Sequence, residues 1–162
     1  MHSDRLDPIE HGSLQKPIHA TVAYGYDDAR DLAAVFQGKK AGFTYGRQVN
    51  PTVEALQTKI TRMENGVATV CFSTGVAAIG TLLFALLRKG DHFISSAFLF
   101  GNTNSLFMSF ATQGIDVTFV DATDVEAVRQ AIRPETKLVF VETVANPVTQ
   151  VSALKEIGEL TQ

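Results

Sequence analysis

Four short stretches of this chain hold residues whose types and spacing could do chemistry. The first is Ser73-Thr74-Gly75. It follows VATVCF at 67–72, a β-branched run without polar alternation that predicts a strand covered on both faces. It precedes a run over 76–88 that is apolar almost all round and predicts a helix buried beneath other layers. Ser73 and Thr74 can cap that helix, and Gly75 lets the backbone turn tightly. An anion over Gly75 and Val76 would meet unpaired N–H donors and the positive end of the helix dipole, with phosphate the obvious candidate. The same three residues would also make an ordinary strand-to-helix turn.

The second stretch is Tyr45-Gly46-Arg47, followed by Gln48-Val49-Asn50-Pro51-Thr52. A phenol and a guanidinium two residues apart project from one side of an extended segment and can converge on one anion; a packing Tyr beside a surface Arg is the plainer alternative. The third is Phe98-Leu99-Phe100-Gly101-Asn102-Thr103, which sets an aromatic beside a helix start, placed to lie over a planar ring or to fill a core. In the fourth, Glu142-Thr143-Val144-Ala145-Asn146-Pro147, a carboxylate and an amide leave a buried strand together, unless they serve only as turn residues before a proline.

The elements that must position these residues alternate. Residues 1–50 lack a sustained period, apart from a helical stretch at 28–36, yet carry Ile18, Val22, Tyr24, Tyr26, Phe43 and Tyr45. Such an arm either lies on something, such as a neighbouring subunit, or is a tail. Asn50-Pro51 then opens a helix whose Val53, Leu56, Ile60 and Met63 share one face, and Asn65-Gly66 ends it. Strands at 67–72, 92–96, 116–120 and 137–142 alternate with helices at 76–88, 103–113, 124–131 and 151–160. Repeated βα predicts a four-strand parallel sheet with helices on both faces and ligands at the carboxyl ends of its strands, here 73–75, 96–101, Asp121 and 142–147. No strand follows the last helix, so the sheet is expected to be incomplete, with open edges.

Composition narrows the function classes. Of 162 residues, 45% are hydrophobic and 19% charged, which suits a folded domain with a real core. A formal charge of −3 with scattered Lys and Arg gives no footprint for nucleic acid or an anionic membrane. The single cysteine, Cys71, falls mid-strand as a small hydrophobe and can form no intrachain disulfide, which fits a reducing compartment. Met1-His2-Ser3-Asp4-Arg5 starts no apolar leader and no run is long enough to span a membrane, so a cytoplasmic protein is expected. No metal site is expected. A nucleotide-binding domain is disfavoured because the chain has neither G-x-G-x-x-G nor a Walker loop.

In order and spacing, the four stretches resemble the N-terminal part of the pyridoxal-phosphate-dependent Cys/Met metabolism (transsulfuration) enzymes, from about His11 to the last residue. The wording of Glu-Thr-Val-Ala-Asn-Pro is closest to the O-acetylhomoserine and O-succinylhomoserine sulfhydrylases and cystathionine γ-synthase. The resemblance implies an α/β fold: the three-layer, parallel-sheet large domain of the aspartate aminotransferase-like (fold type I) kind. That domain would begin at 51 and be incomplete, with 1–50 as an arm reaching a neighbouring subunit.

It also implies pyridoxal 5'-phosphate as cofactor, a small amino acid as substrate, and a homo-oligomer, a dimer of dimers with sites shared between subunits. Tyr45 and Arg47 match the Tyr-x-Arg that binds the cofactor phosphate of the neighbouring subunit, while Ser73, Gly75 and Val76 match the turn whose N–H groups hold the same phosphate. Phe100 stands where most members stack a Tyr on the pyridine ring, so stacking survives and the hydroxyl's proton-transfer role does not. Asn146 matches the Asn near the ring's phenolic oxygen, with Glu142 ahead of it in the same motif, and Asn102 replaces the cysteine of methionine γ-lyases.

The parent's implied activity is γ-replacement on an acylated homoserine by a sulfur nucleophile, or a related β/γ-elimination in methionine and cysteine metabolism. The family's Schiff-base Lys and the Asp that pairs with the pyridine nitrogen have no counterpart in these 162 residues, since Lys155 lies in the wrong motif. No catalytic residue is therefore assigned, and the chain alone is expected to be inactive. The rival expectation is a non-catalytic subunit that lends Tyr45 and Arg47 to a partner.

Overall fold

The computed structural model describes residues 10–162; the start of the arm, including the Met1-His2-Ser3-Asp4-Arg5 stretch, lies outside the described residues. The chain divides into two compact units, one ending at Cys71 and the other spanning Phe72–Gln162.

The first unit holds helices α1 (Ala29–Phe36) and α2 (Pro51–Met63), and both start on side-chain caps. Asp28 accepts from Arg30 N and Asn50 from Thr52 N, with Pro51 at the first helical position where its missing N–H costs nothing. The apolar face expected on α2 is present in sequence, but Val53, Leu56 and Met63 are exposed. The arm ahead of it folds back on itself: Tyr24 N donates to Thr44 O (3.1 Å), Gly46 N to Val22 O (2.7 Å), and Ala23 forms an antiparallel bridge with Tyr45.

The second unit contains α3 (Gly75–Leu86), β1 (His92–Ser96), α4 (Gly101–Phe110), β2 (Asp116–Val120), α5 (Val125–Ala131), β3 (Thr136–Phe140) and α6 (Leu154–Leu160). The three strands are parallel in the order β2-β1-β3, with Ser96 opposite Val120 and Ser95 opposite Phe140. Alternation along the outer strands sends residues to two cores. Val117, Phe119, Leu138 and Phe140 pack with Leu83, Phe93, Phe107 and Phe110 beneath α3 and α4, and Val120, Val139 and Val141 pack with Val128 and Ile157 beneath α5 and α6. Phe107 meets Phe93 and Phe140 edge-on, with centroids 5.2 and 4.9 Å apart. The result is the three-layer α/β arrangement expected from the βα alternation.

Several expectations fail, among them the bounds of the last strand and helix, expected at 137–142 and 151–160 and found at Thr136–Phe140 and Leu154–Leu160. Residues 67–72 form no strand, and the sheet has three strands rather than four. A strand needs a neighbour to take its N–H and C=O groups, and among the described residues this segment has none; Val67 and Val70 are exposed and Cys71 is half-buried outside any strand. Helix α3 is not buried all round, because one side packs through Leu83 and Gly80 while Val76, Leu82, Phe84 and Leu86 face outward. The helix expected at 103–113 starts two residues earlier, at Gly101, and closes in a 3-10 turn over Ala111–Gln113.

One buried polar group ties the sheet together. His92, 1% exposed, bonds Thr136 Oγ1 on β3 through Nδ1 (2.7 Å) and Thr118 Oγ1 on β2 through Nε2 (2.9 Å). Arg133 donates to the same two hydroxyls, from Nη2 to Thr118 (2.9 Å) and from its backbone N to Thr136 (2.8 Å). A neutral imidazole, which gives one hydrogen bond and takes one, suits this set. Burial, and then the charge of Arg133, lower the His92 pKa against the opposing pull of Asp116 and Glu135. Between the ordinary histidine value of about 6.5 and this lowered one, the unfolded chain binds a proton that the native chain refuses. Stability is therefore expected to fall as the pH drops below about 6.5, by at most about 1.4 kcal/mol per unit. Denaturant unfolding across that range checks it, and His92→Gln is expected to flatten this part of the profile.

Candidate functional site

Helix α3 begins with Thr74 as its cap, whose Oγ1 accepts from Ala77 N at 3.1 Å, while Thr74 O accepts from Ala78 N. That leaves the N–H groups of Gly75 and Val76 without an intrahelical acceptor. Both residues are exposed, and a Cβ built on Gly75 meets nothing within 4 Å. Ser73 is exposed beside them. The capping side chain is thus Thr74, and the donors left over are the two expected from sequence.

Phe100 and Glu142 come together from 42 residues apart, the Phe100 N–H pointing at Glu142 Oε1 across 3.5 Å. Their meeting follows from topology. β1 and β3 are parallel neighbours, so the loops leaving their carboxyl ends start side by side, although the helices that follow, α4 and α6, pack on opposite faces. Phe100, the residue before α4, is 52% exposed there, so the core role is excluded. Among the described residues, no hydrogen bond links Asn146 or the Ser73-Thr74-Gly75 turn to this pair. Asn146 is exposed, and its peptide bond to Pro147 is cis.

Two serines that sequence reasoning left out of the site hold its loops. Buried Ser96 ends β1 and takes Phe98 N on its Oγ (3.1 Å), and Ser152 Oγ donates to the carbonyl of Glu142 at 2.7 Å. Ser96 had a legible signal in its place at a strand end; Ser152 had none, because its contact depends on the Val144–Val151 bridge folding 142–152 into a hairpin-like loop. Asp121, at the end of β2, faces its own turn: the Thr123 hydroxyl (2.6 Å) and then the Thr123 N–H (2.9 Å) hold its carboxyl below the usual range, as turn-forming groups do.

Tyr45 and Arg47 lie in the first unit, and not on an extended segment. A turn follows Tyr45, whose carbonyl accepts from Gln48 N (2.9 Å) and Val49 N (3.2 Å). That turn brings the guanidinium back over the phenol, with Arg47 Cζ 5.1 Å from the ring centroid. The two side chains are therefore neighbours by stacking rather than by strand alternation.

A family model described as Cys/Met metabolism PLP-dependent enzyme matches residues 1–162. The chain belongs to this family. It is 36% identical to an L-methionine γ-lyase of Fusobacterium nucleatum over 99% of its own length and 40% of that protein's. It is 38% identical to an O-acetyl-L-homoserine sulfhydrylase of Corynebacterium glutamicum over 99% of itself and 37% of that protein. Among solved structures, metY of Campylobacter jejuni, determined with N'-pyridoxyl-lysine-5'-monophosphate, superposes with a TM-score of 0.83 at 25% identity, covering 96% of this chain and 39% of that one. The fold is the fold type I kind, and the family's cofactor is pyridoxal 5'-phosphate. The chain spans about 40% of the length of these relatives. Among the described residues, no helix is long and apolar enough to cross a membrane.

The family's cofactor fits what is here. A phosphate needs N–H donors left without intrahelical acceptors at an exposed helix start, as at Gly75 and Val76, and a flat ring needs an exposed aromatic, as Phe100 is. Because the Ser152 hydroxyl supports the backbone that carries Glu142, Ser152→Ala is expected to cost about 1–3 kcal/mol through the orphaned carbonyl. Urea unfolding measures the loss, and faster amide exchange over 142–146 locates it.

Proposed function

We propose that this chain is the N-terminal part of an enzyme that joins a sulfur nucleophile to an acylated homoserine, a sulfhydrylase or cystathionine γ-synthase reaction, or runs a related elimination. The observation that carries the reading is the pair of N–H groups at Gly75 and Val76 left without intrahelical acceptors at the exposed start of α3. They bind the cofactor phosphate with Ser73, and the dipole of α3 favours its charge. Phe100 covers one face of the pyridine ring. Asn146 donates from its amide toward the ring's phenolic oxygen, and Glu142 steadies the Phe100 loop through the N–H it faces. When bound, pyridoxal 5'-phosphate supplies an electron sink for bond breaking at the amino acid's carbons. Asn102, where the family resemblance gives methionine γ-lyases a cysteine, favours replacement over that elimination.

Tyr45 and Arg47 complete the phosphate site of a neighbouring subunit, so the working form is a homo-oligomer, a dimer of dimers, with 1–50 as the exchanged arm. Stacking on Tyr45 leaves the outer edge of the Arg47 guanidinium for two parallel hydrogen bonds to phosphate. In the parent protein stripped of cofactor, Arg47→Ala is expected to weaken pyridoxal 5'-phosphate binding about 10- to 100-fold, read by absorbance titration. Mixing Arg47→Ala subunits with subunits that lack the cofactor-tethering lysine is expected to restore activity in mixed oligomers. No recovery would overturn the shared site.

A further inference from the structure

Asn50 does more than an N-cap requires. Capping uses only its Oδ1, which accepts from Thr52 N at 2.9 Å, and Ser or Thr would serve that purpose. Its amide nitrogen also donates to the carbonyl of His19 at 3.1 Å and reaches the Tyr24 hydroxyl at 3.4 Å. From the same helix turn, Thr52 Oγ1 accepts from His19 N at 2.8 Å. Both backbone groups of His19 are thus held by the first turn of α2.

These contacts close a ring. Tyr24 stacks against Phe43 (5.5 Å between centroids) and its backbone pairs with Thr44, beside the Ala23–Tyr45 bridge. From Tyr45 the turn through Arg47 returns to Val49 and so to Asn50. The turn that presents Tyr45 and Arg47 is therefore fastened at one end by the covalent chain and at the other by the Asn50 amide acting through Tyr24 and the bridge. Without the amide, Tyr24 keeps its backbone pairing and its contact with Phe43 but loses its tie to the start of α2, and the turn that carries the guanidinium is held less firmly.

We infer that Asn50 is a positioning residue, whose amide donor fixes the presentation of Tyr45 and Arg47 to the cofactor phosphate. This rests on the phosphate-binding reading of those two residues. The test uses the cofactor-free parent protein with Asn50→Ser, which keeps a cap and removes the amide. Its unfolding midpoint and helix signal are expected to match the native protein. Amide exchange over 43–49 is expected to speed up about 2- to 10-fold, and the dissociation constant for added pyridoxal 5'-phosphate to rise by a similar factor. Because Asn50 acts through Arg47, Asn50→Ser is expected to add nothing to Arg47→Ala in the double variant.

Native exchange over 43–49 in Asn50→Ser would overturn the inference, as would effects that multiply in the double variant. If Arg47→Ala alone leaves cofactor affinity unchanged, the phosphate reading fails, and with it the role assigned to Asn50, whatever the exchange shows. Should Asn50→Ser unfold, Thr52→Val keeps the Asn50 cap and frees His19 from the other side; it is expected to raise exchange over 43–49 as well, and native exchange there would overturn the clamp.

Discussion

No face of β1 is left to water. All five of its residues are buried, with β2 and β3 along its edges and a helical layer above and below. A strand so enclosed must pair its backbone on both sides, because each unpaired group would lose its water without gaining a partner. That constraint sets the rest of the second unit. It fixes parallel neighbours, places α4 and α6 on opposite faces, and sets side by side the carboxyl ends where Phe100 and Glu142 meet.

Much of this was legible in the sequence because the signals are local. β1 and β2 begin and end where hydrophobic patterning puts them, and the caps at Asn50 and Thr74 and the proline after Asn50 mark helix starts through chemistry that acts within three residues. Val76, Phe100 and Asn146 drew attention for a different reason, since each sits next to a punctuating residue, Gly75, Gly101 or Pro147. What failed depended on neighbours. The run at 67–72 has strand composition, but pairing is a property of two segments, and none beside it is described. The all-apolar α3 reads as enclosed, yet burial depends on what lies against it, and Leu82, Phe84 and Leu86 remain exposed. The stacked geometry of Arg47 on Tyr45 was hidden because residues two apart suggest alternation until a turn is known to follow.

The residues singled out from the sequence fall in both units: Gly75, Val76, Phe100, Glu142 and Asn146 in the second, Tyr45 and Arg47 in the first. The two units are built on different physics. In the second unit, rigid strand ends and helix starts place the groups, and the scaffold supplies precision. In the first, precision comes from a few polar fasteners on an otherwise irregular arm. Such an arm has little apolar burial to hold its shape, which makes each fastener count for more.

The His92 tie sits at the start of β1 and Ser96, which holds the loop over 98–100, at its end, four residue steps or about 13 Å apart. Perturbations separated by more than 7–10 Å and sharing no partners usually add. One end of the strand can therefore diverge in chemistry while the other keeps the sheet assembled, and a scaffold divided in this way tolerates changes of substrate without having to re-evolve its stability.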